Sequence, residues 1–428
     1  MAPPARRRSG RRAPPRRAPL STRPAPAGAR LAAHDELELR CEKLVAGGEG
    51  LARFEGIPIF VPRAAPGDRL RVRLVERRTD YGRAEIVEIL EPGPGRRSPP
   101  CPYFERCGGC DLQHLEDDLQ LRLKAEAFRE TLLRVGGIEM PPRVAVERGE
   151  SWGYRLRTQL HIAASDRGPQ VGYFARRSHE VVAVDRCPVL VPELERLLPT
   201  LPRQLGDQPH RRLDLTVGDG GRWTCSPLIE GLPHGEVTLA LGALRYSYDA
   251  RCFFQAHRQL VPALIEHAVG PAEGEDAWDL FAGVGLFSLP LAERYQQVIA
   301  VDVDRVAARF ARLNARRNRL RGLQVESVAI DAWIAAQPPG GPRGSPARVM
   351  VDPPRGGLSS RLRRWLVRVR PRRLTYVSCH PAALARDLKL LERGFRIESL
   401  TLLDMFPQTG HLEAVVQLLA RELETASS

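Results

Sequence analysis

No stretch of this 428-residue chain approaches the roughly 18 uninterrupted apolar residues that a membrane-spanning helix needs. The N-terminal region also lacks the basic, apolar and small-residue order of a secretory signal. Both absences lead to the expectation of a cytoplasmic protein with no membrane partner. Acidic residues and lysine are missing from residues 1–30, which hold nine Arg, so that +9 of the formal +14 charge is concentrated there and only about +5 is spread over the rest. The same segment is full of Pro and Ala. It cannot bury a core or run as an amphipathic helix, which argues for a disordered tail over 1–34 and against an organelle transit peptide. Two readings of the tail stay open: a basic arm adding phosphate contacts to RNA, or compositional bias with weak nonspecific affinity.

Two further absences concern motifs. The cysteines do not form the paired C-x2-C of a zinc ribbon, and the one G-x-G turn has no third glycine, which excludes a full dinucleotide fingerprint. The apolar share of 43% is enough for ordinary cores. After the tail, ELELRCEKL, IPIFVP, DRLRVRLVERR and RAEIVEIL alternate in polarity between turn signals, predicting a small barrel of the oligonucleotide-binding sort over 35–95. Its arginines (Arg69, Arg71, Arg73, Arg77, Arg78 and Arg83) suit RNA, or simply a solvated charged face. A linker, GPGRRSPP, leads into a β-rich central region over 96–258 with one helix at about 116–134, which could pack on the following domain. From 259 to 428 seven strand candidates alternate mostly with helices and end in a hairpin. The fold class expected is therefore α/β multidomain: an N-terminal barrel, a β-rich middle and a C-terminal, seven-stranded, mostly parallel Rossmann-like sheet.

Three strings near the end put reactive groups just past apolar runs: VDPPRGG, YVSCHP and DMFPQTGHLE, carrying Asp352, Cys379 and Glu413. Strand ends form the ligand crevice of such sheets, so a thiol between two carboxylates there marks a candidate active site. Upstream, DLFAGVG lets Gly283 and Gly285 bring backbone close to a ligand. Asp302 ends the next strand and suits ribose hydroxyls, and Asp331, read as ending the third, could reach an adenine edge; the bland reading is that both cap helices. Cys101, Cys107 and Cys110 can wrap one metal centre with Cys187 as fourth ligand, either zinc or an iron–sulfur cluster, the uneven spacing favouring the cluster. Cys41, Cys225 and Cys252 read as small core hydrophobes.

In combination these motifs resemble the S-adenosylmethionine-dependent RNA uracil-5-methyltransferases, and more narrowly the 23S ribosomal RNA type with a TRAM domain and a four-cysteine [4Fe-4S] cluster. The strings that carry the resemblance are KLVAGGEGLARFEGIPIFVPRAAPGDRLRVR, CPYFERCGGCDLQHL with DRCPV, and FFQ, DLFAGVG, DPPRGG, SCHP and FPQTGHLE, spread over roughly residues 36–421. The resemblance implies Cys379 as nucleophile and Glu413 as general base. It implies that Gln255, Phe281, Asp302, Asp331 and Asp352 line the cofactor and base pocket. S-adenosyl-L-methionine would be the methyl donor, RNA the partner, and the chain a monomer. The usual Cys of the D-x-x-C-G-x-G string is Ala282, a polar residue after its second Gly is Leu286, and two usual Asn residues are His257 and His380. Phe253, Phe254 and Phe406 are candidate platforms for an unstacked base. Rival readings are a transfer-RNA enzyme, a noncatalytic RNA-binding or assembly protein, and an amino-group methyltransferase.

Overall fold

The computed structural model describes residues 34–141, 144–166, 168–206, 211–338 and 344–422. The Arg-rich tail, apart from His34, lies outside the described residues. Strands β1 (Glu36–Leu44), β2 (Glu49–Phe54), β3 (Ile57–Pro62), β4 (Arg69–Arg77) and β5 (Gly82–Glu91) close into a barrel in the order β1-β2-β3-β5-β4. Alternation drives it: Leu37, Leu39, Cys41, Leu70, Val72 and Leu74 point inward as their neighbours point out. The barrel arginines are mostly engaged across strands, Arg73 with Glu36, Arg71 with Glu88, Arg69 with Glu91 and Arg83 with Glu49. The three exposed pairs contribute roughly 0–1 kcal/mol each. The linker is fixed to the barrel: Asp68, wholly buried, accepts hydrogen bonds from Ala65 N, Gly93 N and the Arg96 guanidinium.

The middle of the chain contributes β6 (Ala145–Glu147), β7 (Arg157–Ala163), β8 (Gln170–Phe174), β9 (Val181–Ala183), β10 (Arg212–Val217), β11 (Trp223–Ser226), β12 (Val237–Leu241) and β13 (Leu244–Tyr248). Five of these form an antiparallel sheet, β11-β10-β7-β8-β9, and β12-β13 is a separate hairpin. That hairpin is tied to the helix Arg305–Arg317: Ser247 N donates to Asn314 Oδ1 at 2.8 Å and Asn314 Nδ2 donates back to Ser247 O at 3.0 Å.

The last region holds β14 (Gly274–Leu280), β15 (Tyr295–Asp302), β16 (Leu323–Ser327), β17 (Arg348–Val351), β18 (Arg373–Ser378), β19 (Phe395–Leu403) and β20 (Glu413–Ala420). The sheet has eight strands rather than the expected seven, in the order β16-β15-β14-β17-β18-β20-β19-β6. The extra strand is β6, from the middle of the chain, which lies parallel to the β19 edge. Three residues of modest polarity carry too little pattern for sequence reading, and pairing comes from the exposed edge of β19. The expected helix spans Asp117–Thr131 and widens into a π-helical turn, Leu132–Gly136. Gly136 lies so close to the helix Pro381–Leu391 that a Cβ there would sit 2.7 Å from Ala385 O. No helix among the described residues is long and apolar enough to cross a membrane.

Candidate active site and cysteine cavity

The parallel strands β14, β15, β17 and β18 end on one side of the sheet. Beyond β14 the chain turns sharply: Phe281 holds φ at 80°, Gly283 at 54° and Gly285 at 92°. A non-glycine residue in this region costs of order 1–3 kcal/mol and persists where the surroundings enforce it; here Phe281 N and Ala282 N both donate to Val301 O. A Cβ on Gly283 would meet nothing within 4 Å, so the turn leaves open space above its backbone. Gly283 N donates to Asp302 Oδ2 at 2.7 Å, and Asp304 N to Asp302 Oδ1 at 2.7 Å. The following helix is capped by Asp304, not Asp302. Asp302 is thus oriented by two backbone donors, with lone pairs on both oxygens still free to accept.

Asp331 differs from its expected place. The strand ends at Ser327, and Asp331 sits in the first turn of the helix Ile330–Ala336, accepting from Ser359 Oγ at 2.6 Å. The run VESVAID reads as continuous strand because its apolar residues alternate, but the helix begins inside it. Gln255 is buried with Oε1 unpartnered.

Cys379 follows β18 directly. The antiparallel ladder with β20 ends with Ser378 opposite Ala414, so the next position sets Cys379 against Glu413. Asp352 follows β17 on the parallel neighbour strand. Burial, then the charges of Glu413 and Asp352, push the Cys379 thiol up to about 11, with Arg355 opposing them. The free site therefore does not hold a ready thiolate. Burial also raises Glu413 well above the usual carboxylate range, and pushes Asp352 up to about 7 with the charge of Asp279 adding to it. Asp279 was not singled out in the sequence, though an Asp inside the apolar run AWDLF is a usable signal. It is wholly buried, accepts from Ser288 Oγ at 2.5 Å, leaves Oδ1 unpartnered and is itself pushed up to about 7 by burial.

Both histidine departures have structural work. His380 caps the helix Pro381–Leu391, its Nδ1 accepting from Ala383 N at 3.1 Å, a role that Asn fills equally. His257 is wholly buried, stacked on Tyr154 at 4.7 Å, with Nε2 3.1 Å from Glu150 O. The three aromatic candidates part company. Phe254 is core, stacked on Tyr248 at 4.2 Å, and Phe406 packs against the core, whereas Phe253 is 61% exposed under the Arg157 guanidinium.

The segment carrying Glu413 is clamped by residues that sequence reading missed. Asp117, Gln120 and Lys124 are spaced along one helix: Lys124 Nζ meets Asp404 Oδ1 at 2.5 Å, and Gln408 bonds both Asp117 and Gln120. Asp111 N and Leu112 N donate to Gln408 O, and Gly410 N donates to Asp111 Oδ2. Gly410 touches the barrel so closely that a Cβ would lie 2.3 Å from the Gly47–Gly48 backbone. Polar residues on a helix look like a solvated face; only tertiary packing shows that Gln120 and Lys124 are buried and Asp117 half-buried.

Cys101, Cys107, Cys110 and Cys187 all line one small cavity, together with Arg155 and Tyr173. Gly109 N donates to Cys107 Sγ at 3.3 Å and Tyr173 OH to Cys187 Sγ at 3.7 Å. Arg155 Nε is shielded and unpartnered. A shielded cation beside four thiols suits an anionic group within the cavity. Among the described residues no three His, Cys, Asp or Glu side chains converge as for a single metal ion; the thiols surround a space instead. Cys41, Cys225 and Cys252 are buried elsewhere.

A doubly wound sheet with a glycine turn after β14, and a thiol set against carboxyl groups past later strands, defines an enzyme of the methyltransferase class. Residues 235–337 and 345–421 match the family model tRNA (Uracil-5-)-methyltransferase, and residues 35–87 match the TRAM domain. The chain is 31% identical to the 23S rRNA (uracil(1939)-C(5))-methyltransferase RlmD of Shewanella amazonensis, over 89% of this chain and 95% of that one. It is 32% identical to the enzyme of the same name from Pseudomonas putida, over 88% and 92%. The solved structure of the Pyrococcus abyssi tRNA (uracil-54, C5)-methyltransferase in complex with S-adenosyl-L-homocysteine superposes with a TM-score of 0.69 at 27% identity, covering 90% of this chain and all of that one. The chain belongs to the RNA uracil-5-methyltransferase family.

Proposed function

We propose that the protein methylates carbon 5 of a uridine in 23S ribosomal RNA through a covalent cysteine–uracil adduct. The observation that carries the reading is the placement of Cys379 across from Glu413, with Asp352 on the neighbouring strand end. Carbon 5 of uracil is a poor nucleophile. As the Cys379 thiol gives up its proton to solvent, its sulfur bonds to carbon 6 and the carbon 5–carbon 6 π pair shifts to give an enolate that is nucleophilic at carbon 5. S-adenosyl-L-methionine, when bound, supplies an electrophilic methyl group to that carbon. Glu413, made more basic by burial, removes the carbon 5 proton; the electrons return through carbon 6 and expel Cys379. Asp352 orients the base, and Gly283, Gly285, Asp302, Asp331, Phe281 and Gln255 form the cofactor side of the pocket.

Cys101, Cys107, Cys110 and Cys187 would hold a [4Fe-4S] cluster, which the cavity, its two donors to sulfur and the unpartnered Arg155 support. It has no part in the transfer chemistry and instead secures the segment that clamps the Glu413 loop. The 23S target is favoured over transfer RNA by the relatives named for it.

The decisive experiment incubates the protein with RNA containing 5-fluorouracil, whose fluorine blocks the final elimination. A denaturation-resistant adduct at Cys379, absent in Cys379→Ala, is expected; methyl transfer elsewhere on the base without an adduct sinks the reading. Labelled methyl transfer to unmodified 23S and transfer RNA separates the targets, and iron and sulfide in equal amounts on the anaerobically purified chain tests the cluster.

A further inference from the structure

We infer that the outer face of the five-stranded sheet β11-β10-β7-β8-β9 docks single-stranded RNA flanking the target uridine, with His161 stacked on Phe174 as a base platform. The inference rests on the reading of the protein as an RNA methyltransferase. Strand β7 alternates: Thr158 and Leu160 are buried, while Arg157, Gln159 and His161 face the other way. The register sets Arg212 opposite His161 and Asp214 opposite Gln159, so β10 extends the same face.

The rings of His161 and Phe174 lie 3.5 Å apart at 16°, and the His179 ring meets Phe174 edge-on at 5.2 Å. None of the three rings is buried. Burial and the nearby Arg212 lower the His161 pKa, which favours the uncharged ring and its aromatic surface. Asp214, diagonal to His161 across the β7–β10 pair, is paired with Arg212 at 2.7 Å and accepts from Gln159 Nε2 at 3.2 Å. Further along the face, the Arg157 guanidinium lies 5.2 Å over the Phe253 ring, which is 61% exposed. Phe253 stands two residues before Gln255, whose buried Oε1 lacks a partner. The surface thus runs from an aromatic stack, past arginines, to the proposed pocket. Rings that accept any base face, flanked by guanidinium groups for phosphate, are the requirements of single-stranded RNA. An acidic polypeptide would use the arginines but leave the stacked rings without a purpose.

The test measures affinity for a labelled single-stranded RNA oligonucleotide and for a 23S RNA fragment, across salt concentrations, using the full chain. His161→Ala with Phe174→Ala is expected to weaken binding roughly ten-fold with little change in salt slope, because stacking is lost and no phosphate contact is. Gln159→Lys, at an exposed position where an ammonium can still donate to Asp214 opposite, is expected to strengthen binding several-fold at low salt and less at high salt. Unchanged affinity in both variants, alongside a wild-type protein that binds and methylates RNA, overturns this surface alone. A wild-type protein that binds no RNA overturns the assigned function as well.

Discussion

Cys379 and Glu413 face each other at the end of the β18–β20 ladder, one step beyond the Ser378–Ala414 pair. Neighbouring antiparallel strands thus bring thiol and carboxyl together across 34 residues of chain. This geometry divides the two roles in time. Cys379→Ala is expected to abolish both adduct and product. Glu413→Gln is expected to slow product formation by about 10²–10⁴-fold while adduct on ordinary RNA accumulates, read as a denaturation-resistant band. Loss of adduct in Glu413→Gln would assign the carboxylate to thiol activation instead.

The thiol's own ionisation gives a second prediction. Burial, Glu413 and Asp352 push Cys379 up to about 11, and Arg355 alone among the main influences from other side chains pulls it down. Arg355 is held by His411, whose Nε2 lies 3.0 Å from Nη2; burial lowers the His411 pKa to about 4, so the ring is neutral and accepts. Arg355→Gln should move the pH profile of Cys379 alkylation upward, and Glu413→Gln should move it downward. Peptide-resolved mass spectrometry of iodoacetamide labelling reads both shifts.

The chemistry-bearing strings were legible because each ends an apolar run, and a strand end in a doubly wound sheet is a place where function collects. Barrel, sheet alternation and cysteine set were legible from period and spacing. What escaped depended on contacts between distant segments. β6 is three residues whose partner is the far edge of the last domain. Asp331 lies in a helix that starts within an apparently continuous strand. Gln120 and Lys124 are polar residues with no local reason to be buried, and their purpose, like that of the half-buried Asp111 and Asp117, appears only when the Glu413 segment packs on them. His380, a departure from the usual Asn, caps the helix Pro381–Leu391.

Lys124 and Asp404 form a buried pair, with side chains 1% and 9% exposed. Burial lowers the Lys124 pKa and Asp404 opposes that, so the pair survives only together. Lys124→Met alone strands a carboxylate and is expected to cost about 3–5 kcal/mol. Lys124→Met with Asp404→Leu should recover a large part of that loss in thermal or denaturant unfolding. Additive losses in the double variant would show that the two side chains do not act as a pair.

Asp279 yields a pH-dependent stability prediction. Its carboxyl is wholly buried and pushed up to about 7. Because the folded pKa is raised, its stabilising contribution is complete below the ordinary aspartate range and is lost as pH rises through 7. Asp279→Asn mimics the protonated group and keeps an acceptor for Ser288 Oγ. The variant is therefore expected to match wild type in melting temperature near pH 4 and to exceed it near pH 8.5, where its unfolding free energy is higher by as much as about 4 kcal/mol. Equal melting temperatures at both pH values would show that Asp279 titrates normally; a variant less stable than wild type at high pH would show that its ionised form is held by the fold.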